Sequence, residues 1–329
     1  MLNFFIKRLI SFFIMLVVMS IVAFAIIQAP PGDYVQELIY EMEQSGESMD
    51  DNEAMQMREH YGLLEPMYVQ YFKWAKHIIT WDLGMSLSYQ RSVNEMINER
   101  LLLTIALGVF TILFTWTLAI PIGMISAIKQ YTWIDYFFTM LSYVGVGTPN
   151  FMLAIIIMYV SLTTFGLSVS GLFSFEYIDA PWSFGKFVDM LKHIWVPMII
   201  LGTDGTARFT RIMRANLLDE MNKPYVETAR AKGVPEWKVL IKYPTRIAIN
   251  PFISTAGYAL PELFSGSLIV ATVMNLPTIG PLLLQSLLGE DMHMAGSIIM
   301  ILTALTLIGT LISDILLAIV DPRIRLSQT

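Results

Sequence analysis

The chain has 329 residues, of which 55% are hydrophobic and 15% charged, with a formal charge of -6 and a strongly positive mean hydropathy. That balance describes a polytopic membrane protein rather than a water-soluble domain. Cysteine is absent, which excludes disulfides, thiolate catalysis and cysteine-ligated metal.

Residues 9–27 form an uncharged run of nineteen, close to the roughly 20 that a helix needs to cross the hydrocarbon core of a bilayer. Lys7 and Arg8 precede it, as they would a signal peptide, whose apolar core is usually about 7 to 15 residues. The longer run, with further spans downstream, predicts an uncleaved helix. Residues 29–100 then read as a small, mostly helical module outside the membrane, and thirteen of the chain's 27 acidic residues lie within 33–99. The negative charge belongs to this module, and no nucleic-acid partner is implied. Asp50 and Glu53 stand at capping-box spacing before good helix formers. Tyr68, Tyr71, Phe72, Trp74 and Trp81 make the following segment aromatic enough to pack on the membrane surface or on the helix bundle.

The same reading places further spans at about 101–128, 136–165, 194–215, 249–273 and 294–320, six in all, in an all-α fold. The fourth has a short apolar core, because Asp204, Arg208, Arg211 and Arg214 fall in its second half. It is retained because of charge. With the N-terminus inside, fourteen of the 21 basic residues lie at cytoplasmic ends and loops, and the other seven lie mostly in one long external segment. Both ends are therefore expected in the cytoplasm. The expected organisation is 1–28, the N-terminus and first helix; 29–100, the external module; and 101–329, a five-helix core with a cytoplasmic loop at 216–248.

That loop carries Tyr225-Val-Glu-Thr-Ala-Arg-Ala-Lys-Gly233. Pro224 suits the first turn of a short helix and Gly233 its end, and Pro235 can open a second helix to about Tyr243. Glu227 and Ala231 would share one face, and the small Ala229 and Ala231 would permit close approach to a partner. Glu227 near the start and Arg230 and Lys232 near the end suit the helix dipole.

Catalytic and metal constellations do not occur. His60, His77, His193 and His293 are scattered without ligand spacing, and there is no P-loop and no Gly-x-Ser-x-Gly. No enzyme activity, cofactor or metal is expected. Helix breakers at Pro121 and Gly123, at Gly145-Val-Gly147-Thr-Pro149 and at Pro261 are expected to interrupt spans where a protein- or water-lined setting tolerates it. Small residues also allow tight helix contact, which explains Gly145 and Gly147 equally well. Glu262, beside Pro261, and Asp204, between Gly202 and Gly205, are candidates for a translocation path, since intramembrane charge costs at least about 2.5–3.5 kcal/mol. For Glu262, contact with another subunit or a role as a local hydrogen-bonded structural acid are the alternatives, and for Asp204, Thr203, Thr206 or Arg208 offer a local one. Asp314 is expected to pair with a neighbour such as Arg323.

Taken together, several motifs resemble the permeases of oligopeptide/dipeptide ABC importers. They are Pro31-Gly32-Asp33, Tyr61-Gly62-Leu63, Gln70-Tyr71, Asp82-Leu83-Gly84-Met85-Ser86, Arg208-Phe209-Thr210-Arg211, the 225–233 segment, Asn250-Pro251, and Asp321-Pro322-Arg323-Ile324-Arg325. The resemblance implies a type I importer permease in a bacterial inner membrane. It also implies a second, homologous permease, two ATPase subunits, an extracytoplasmic solute-binding protein and surrounding lipid as partners. In this picture residues 224–232 are the rigid element that carries ATPase closure to the membrane helices, with Tyr225, Glu227, Ala229, Arg230, Ala231, Lys232 and Gly233 as coupling residues. Where many peptide permeases carry Glu near position 271 and Phe soon after, this chain has Ala271-Thr-Val-Met-Asn275, as in relatives serving oligosaccharide uptake. The cargo is accordingly left as an oligomeric solute, with a slight lean to oligosaccharide. A self-sufficient secondary transporter, against which the 225–233 segment argues, and a non-transporting scaffold are the alternatives.

Overall fold

A computed structural model describes residues 2–29, 32–44, 46, 48–86 and 88–320, with the side chains of 2–5, 34, 37, 41, 256–266, 318 and 320 left out. Among the described residues every named element is helical. In chain order they are α1 (Leu2–Ile27), α2 (Tyr34–Gln44), α3 (Asp51–His60), α4 (Met67–Thr80), α5 (Val93–Ile128), α6 (Trp133–Gly147), α7 (Asn150–Phe165) and α8 (Phe184–His193). After these come α9 (Trp195–Met221), α10 (Pro224–Ala231), α11 (Glu236–Lys242), α12 (Pro244–Ala248), α13 (Asn250–Val273), α14 (Ile279–Leu288) and α15 (Met292–Val320).

Three of these helices, α1 from Ile6, α5, and α15 as far as Leu317, are long and apolar enough to cross a membrane. At 1.5 Å per residue α5 is roughly 54 Å long, well beyond a hydrocarbon core of about 30 Å. The expected third span is not one helix. α6 and α7 together have the length, but they meet at 98°, because Thr148 and Pro149 take extended ψ values of 116° and 131° and the residue before proline is driven from helical geometry. Pro121 behaves differently from expectation: α5 continues straight through it. Pro261 likewise lies within the continuous α13. Gly145 belongs to packing, since a Cβ there would come within 2.9 Å of the Ala207 Cβ. Gly147 faces open space.

The chain forms two compact units. One comprises residues 7–103 and 278–307. Its core joins Leu83, Val93 and Ile97 to Ile279, Leu282 and Ile298, and a second cluster sets Phe24 of α1 on Tyr71 and Trp74 of α4. The aromatic segment thus divides: Tyr71 and Trp74 pack on α1, whereas Tyr68, Phe72 and Trp81 are exposed. Asp50 does occupy the N-cap of α3, but without the expected capping box; its carboxylate accepts from the Asn52 side chain at 3.1 Å.

Several motif residues of this unit are architectural. Asp33 is bound by Arg58 at 2.7 Å, and Gln70 donates to the carbonyls of Leu63 and Glu65. Tyr71 shares a hydrogen bond with Ser20 at 2.9 Å. Asp291 is fully buried just ahead of α15. It accepts from the Ser86 hydroxyl at 2.5 Å, from the Ser88 amide at 3.3 Å, and through its other oxygen from the Met294 amide at 3.0 Å. The last contact caps α15.

The other unit comprises residues 104–277 with both chain ends. α9 is its axis, packing on α6, α7, α12 and α13. Phe209 lies 4.8 Å from Phe252 between ring centroids, and Met213, Leu217 and Ala248 complete that cluster. Asp189 of α8 accepts from the hydroxyl and amide of Ser174, in the loop before that helix, at 2.7 and 2.6 Å. Burial would raise the Asp189 pKa, but these donors hold it below the usual carboxylate value.

Candidate functional site

The 225–233 segment folds as a helical hairpin. Lys223 is the extended N-cap residue of α10 and Pro224 its first residue, where a missing N–H costs nothing. Lys232 is the C-cap, and Gly233 follows with φ +73°. The Gly233 amide donates to the Arg230 carbonyl at 2.9 Å and the Val234 amide to the Ala229 carbonyl at 3.4 Å, the two bonds of a Schellman ending. A Cβ at Gly233 would meet nothing within 4 Å, so backbone conformation, not close approach, selects glycine there.

Val226 and Ala229 of α10 are buried against Val239 of α11, with Tyr225, Val234 and Tyr243 around them. Ala229 therefore fills the hairpin's own core, whereas Ala231 is exposed together with Glu227, Thr228, Arg230 and Lys232. Arg230 turns across the hairpin and grips Glu236 of α11 through two nitrogens, at 2.7 and 3.1 Å. This pairing raises the Arg230 pKa and lowers that of Glu236. Tyr225 donates to Glu220 at the end of α9, tying the hairpin back to its supporting helix.

The base of α9 is clamped more strongly. Arg214 donates to both oxygens of Asp135 at 2.7 Å, and Ser126 and the Tyr131 amide add bonds at 2.6 and 3.0 Å. Asp135 is only 2% exposed, and these bonds tie the α5–α6 turn to the helix leading into the hairpin. Sequence reading did not find this pair, because its members are 79 positions apart; an acid in the first turn of an apolar helix was the available signal.

The structure does not bring the two path candidates into one described site. Asp204 is half-buried on α9. Neither nearby threonine serves it: Thr203 donates to the Ile199 carbonyl and the Thr206 hydroxyl has no hydrogen bond. Glu262 lies in α13, with its side chain left out of the description, and Arg323, expected to meet Asp314, lies outside the described residues. A cavity of about 260 Å3, lined by residues such as Phe114, Leu141, Leu153, Thr206 and Thr210, opens beside Thr203. Of the Arg208–Arg211 motif, Phe209 and Thr210 are buried, and Arg211 stands over the Tyr143 ring at 5.4 Å.

Apolar helices carrying a short polar hairpin on a braced helix suit a transporter membrane subunit. Residues 119–326 match the family described as "Binding-protein-dependent transport system inner membrane component", and residues 1–108 match its N-terminal counterpart. The chain belongs to that family. It is 34% identical over 307 residues, 93% of this chain and 94% of the relative, to the oligopeptide transport system permease protein AppB of Bacillus subtilis. The dipeptide transport system permease protein DppB of Alkalihalophilus pseudofirmus is 30% identical over 339 residues, 99% of this chain and 100% of the relative. A putative peptide permease protein of Brucella suis is 28% identical over 328 residues, again 99% and 100%. The protein is thus a multi-pass inner-membrane permease subunit of an ABC importer, with the type I fold of that family. It is not itself catalytic: separate ATPase subunits hydrolyse ATP, and a solute-binding protein delivers cargo.

Proposed function

We propose that the chain is one half of a heterodimeric permease for peptides, and that the hairpin α10–α11 is where it is driven by its ATPase. The observation that carries this reading is the hairpin: a self-contained unit whose first helix, α10, turns a polar and small-residue face outward, tied through Tyr225 and Glu220 to α9, whose base Asp135 clamps. In this reading Glu227, Ala231 and Lys232 contact the ATPase, with Arg230 partly engaged to Glu236. Tyr225, Ala229 and Gly233 give the hairpin its shape. Asp204 and Glu262 line the path or meet the second permease. Both chain ends and residues 216–248 are cytoplasmic, as the basic residues favour, and residues 29–100 form the external module.

Peptide is proposed as cargo because the relatives described above carry peptide names. The lean to oligosaccharide rested on residues 271–275, where Ala271 and Met274 are fully buried. Residues that fill a core report packing rather than cargo.

The natural absence of cysteine allows a direct test. A single cysteine at Thr228→Cys should react with a membrane-impermeant maleimide in inside-out vesicles holding the permease alone, and be protected once the ATPase assembles. Reporters fused after Lys242 and at Gly46 should report cytoplasm and exterior. Protection that never appears, or both reporters on one side, overturns the proposal.

A further inference from the structure

The two helices of the hairpin expose different chemistry. The outward positions of α10 are polar or small, whereas α11 exposes Trp237 (62%) and Ile241 (57%), one turn apart on a single stripe. Lys238 and Lys242, also one turn apart, run along the edge of that stripe, and Lys238 Nζ lies 5.2 Å from the Trp237 ring centroid. Val239 and Leu240 turn to the opposite, buried side. The acid of this helix, Glu236, is occupied by Arg230. What α11 presents outward is therefore apolar and cationic. Only the short α12 separates it from the apolar α13, and Arg246 on α12 is exposed as well.

An indole beside lysines on a short amphipathic helix next to a span matches the membrane–water boundary. There the ring sits among headgroups, the alkyl stems of lysine lie along the apolar layer, and the ammonium groups reach phosphates. An anionic leaflet attracts such cations. Resting on the cytoplasmic placement of the loop, we propose that α11 is an interfacial helix: Trp237 and Ile241 enter the headgroup layer of the cytoplasmic leaflet and Lys238 and Lys242 bind anionic lipid phosphate. The bilayer surface then serves as the fulcrum that fixes the height and tilt of α10, so leaflet charge tunes coupling. The exposed apolar stripe, the lysines along its edge and the adjacent α13 favour lipid over the ATPase as the occupant.

The test uses the complete transporter in nanodiscs of phosphatidylcholine with phosphatidylglycerol, with thiols removed from the other subunits. Trp237→Cys, Ile241→Cys and, for comparison, Thr228→Cys each carry a bimane label. A nitroxide lipid labelled near the headgroup should quench bimane at 237 and 241 and spare 228. Replacing phosphatidylglycerol by phosphatidylcholine, or introducing Lys238→Gln with Lys242→Gln, should reduce the quenching at 241. Labels at 237 and 241 that escape the lipid quencher, whether water-exposed or shielded only when the ATPase is present, overturn the proposal. Failure of the ATPase to protect position 228 would instead sink the coupling reading, independently of the lipid result. Ile241→Cys keeps Trp237 in place, so the test survives any folding defect of the Trp237 variant.

Discussion

The hairpin at residues 223–243 and the junction around Asp291 are held by opposite means. The hairpin closes on itself: proline at its start, glycine at +73°, three small apolar side chains inside and one ion pair across the turn, all within twenty-odd residues. The junction joins Ser86 to an acid 205 positions later. For a part proposed to be pushed by a large partner, stiffness that does not depend on distant contacts is an advantage. A part that fixes where helices enter the bundle gains from one buried group on which several donors converge.

The comparison predicts where damage should spread. Asp291→Ala strips acceptors from the Ser86 hydroxyl and from two backbone amides at a fully buried site. Two of these donors, the Ser86 hydroxyl and the Met294 amide, are buried, so at about 1–3 kcal/mol for each unsatisfied donor a loss of roughly 2–6 kcal/mol is expected. It should appear as a lower Tm of the detergent-purified protein and a lower yield in the membrane. An unchanged Tm would show that the junction is not what fixes this region.

Gly233→Val should cost less, about 1–2 kcal/mol for a β-branched residue in the left-handed region. The damage should stay local: expression persists, while uptake and co-purification of the ATPase fall. Because a Cβ there meets open space, Gly233→Asn should recover part of the function, since asparagine tolerates positive φ. If valine and asparagine behave alike, the strain argument fails.

Arg230→Gln should have the smallest effect. Its pair with Glu236 is exposed and screened by solvent, and the apolar contacts of the hairpin remain. Uptake should fall modestly and Tm hardly at all. The pH dependence has a definite sign: Glu236 is shifted down, so the pair contributes fully above the ordinary carboxylate pKa and is lost as pH falls through the lowered value. Uptake that is flat across neutral pH and then loses its excess over the Gln variant at acidic pH would bear this out.

The sequence by itself determined the membrane class, because hydropathy answers to the bilayer and to little else. It also determined the hairpin, because Pro224, Gly233 and Pro235 act through their own backbone restrictions. Only the tertiary structure decided features that depend on distant chain. Asp135 meets Arg214, and Asp291 meets Ser86, by burial that no local pattern announces. Ala229 faces inward rather than toward a partner because Val239 returns to cover it. Pro149 bends the chain by 98° while Pro121 leaves α5 intact. A proline inside a helix removes one hydrogen bond and crowds the preceding turn, whereas at the start of a helix it removes none, so whether the chain bends is decided by where the fold places it.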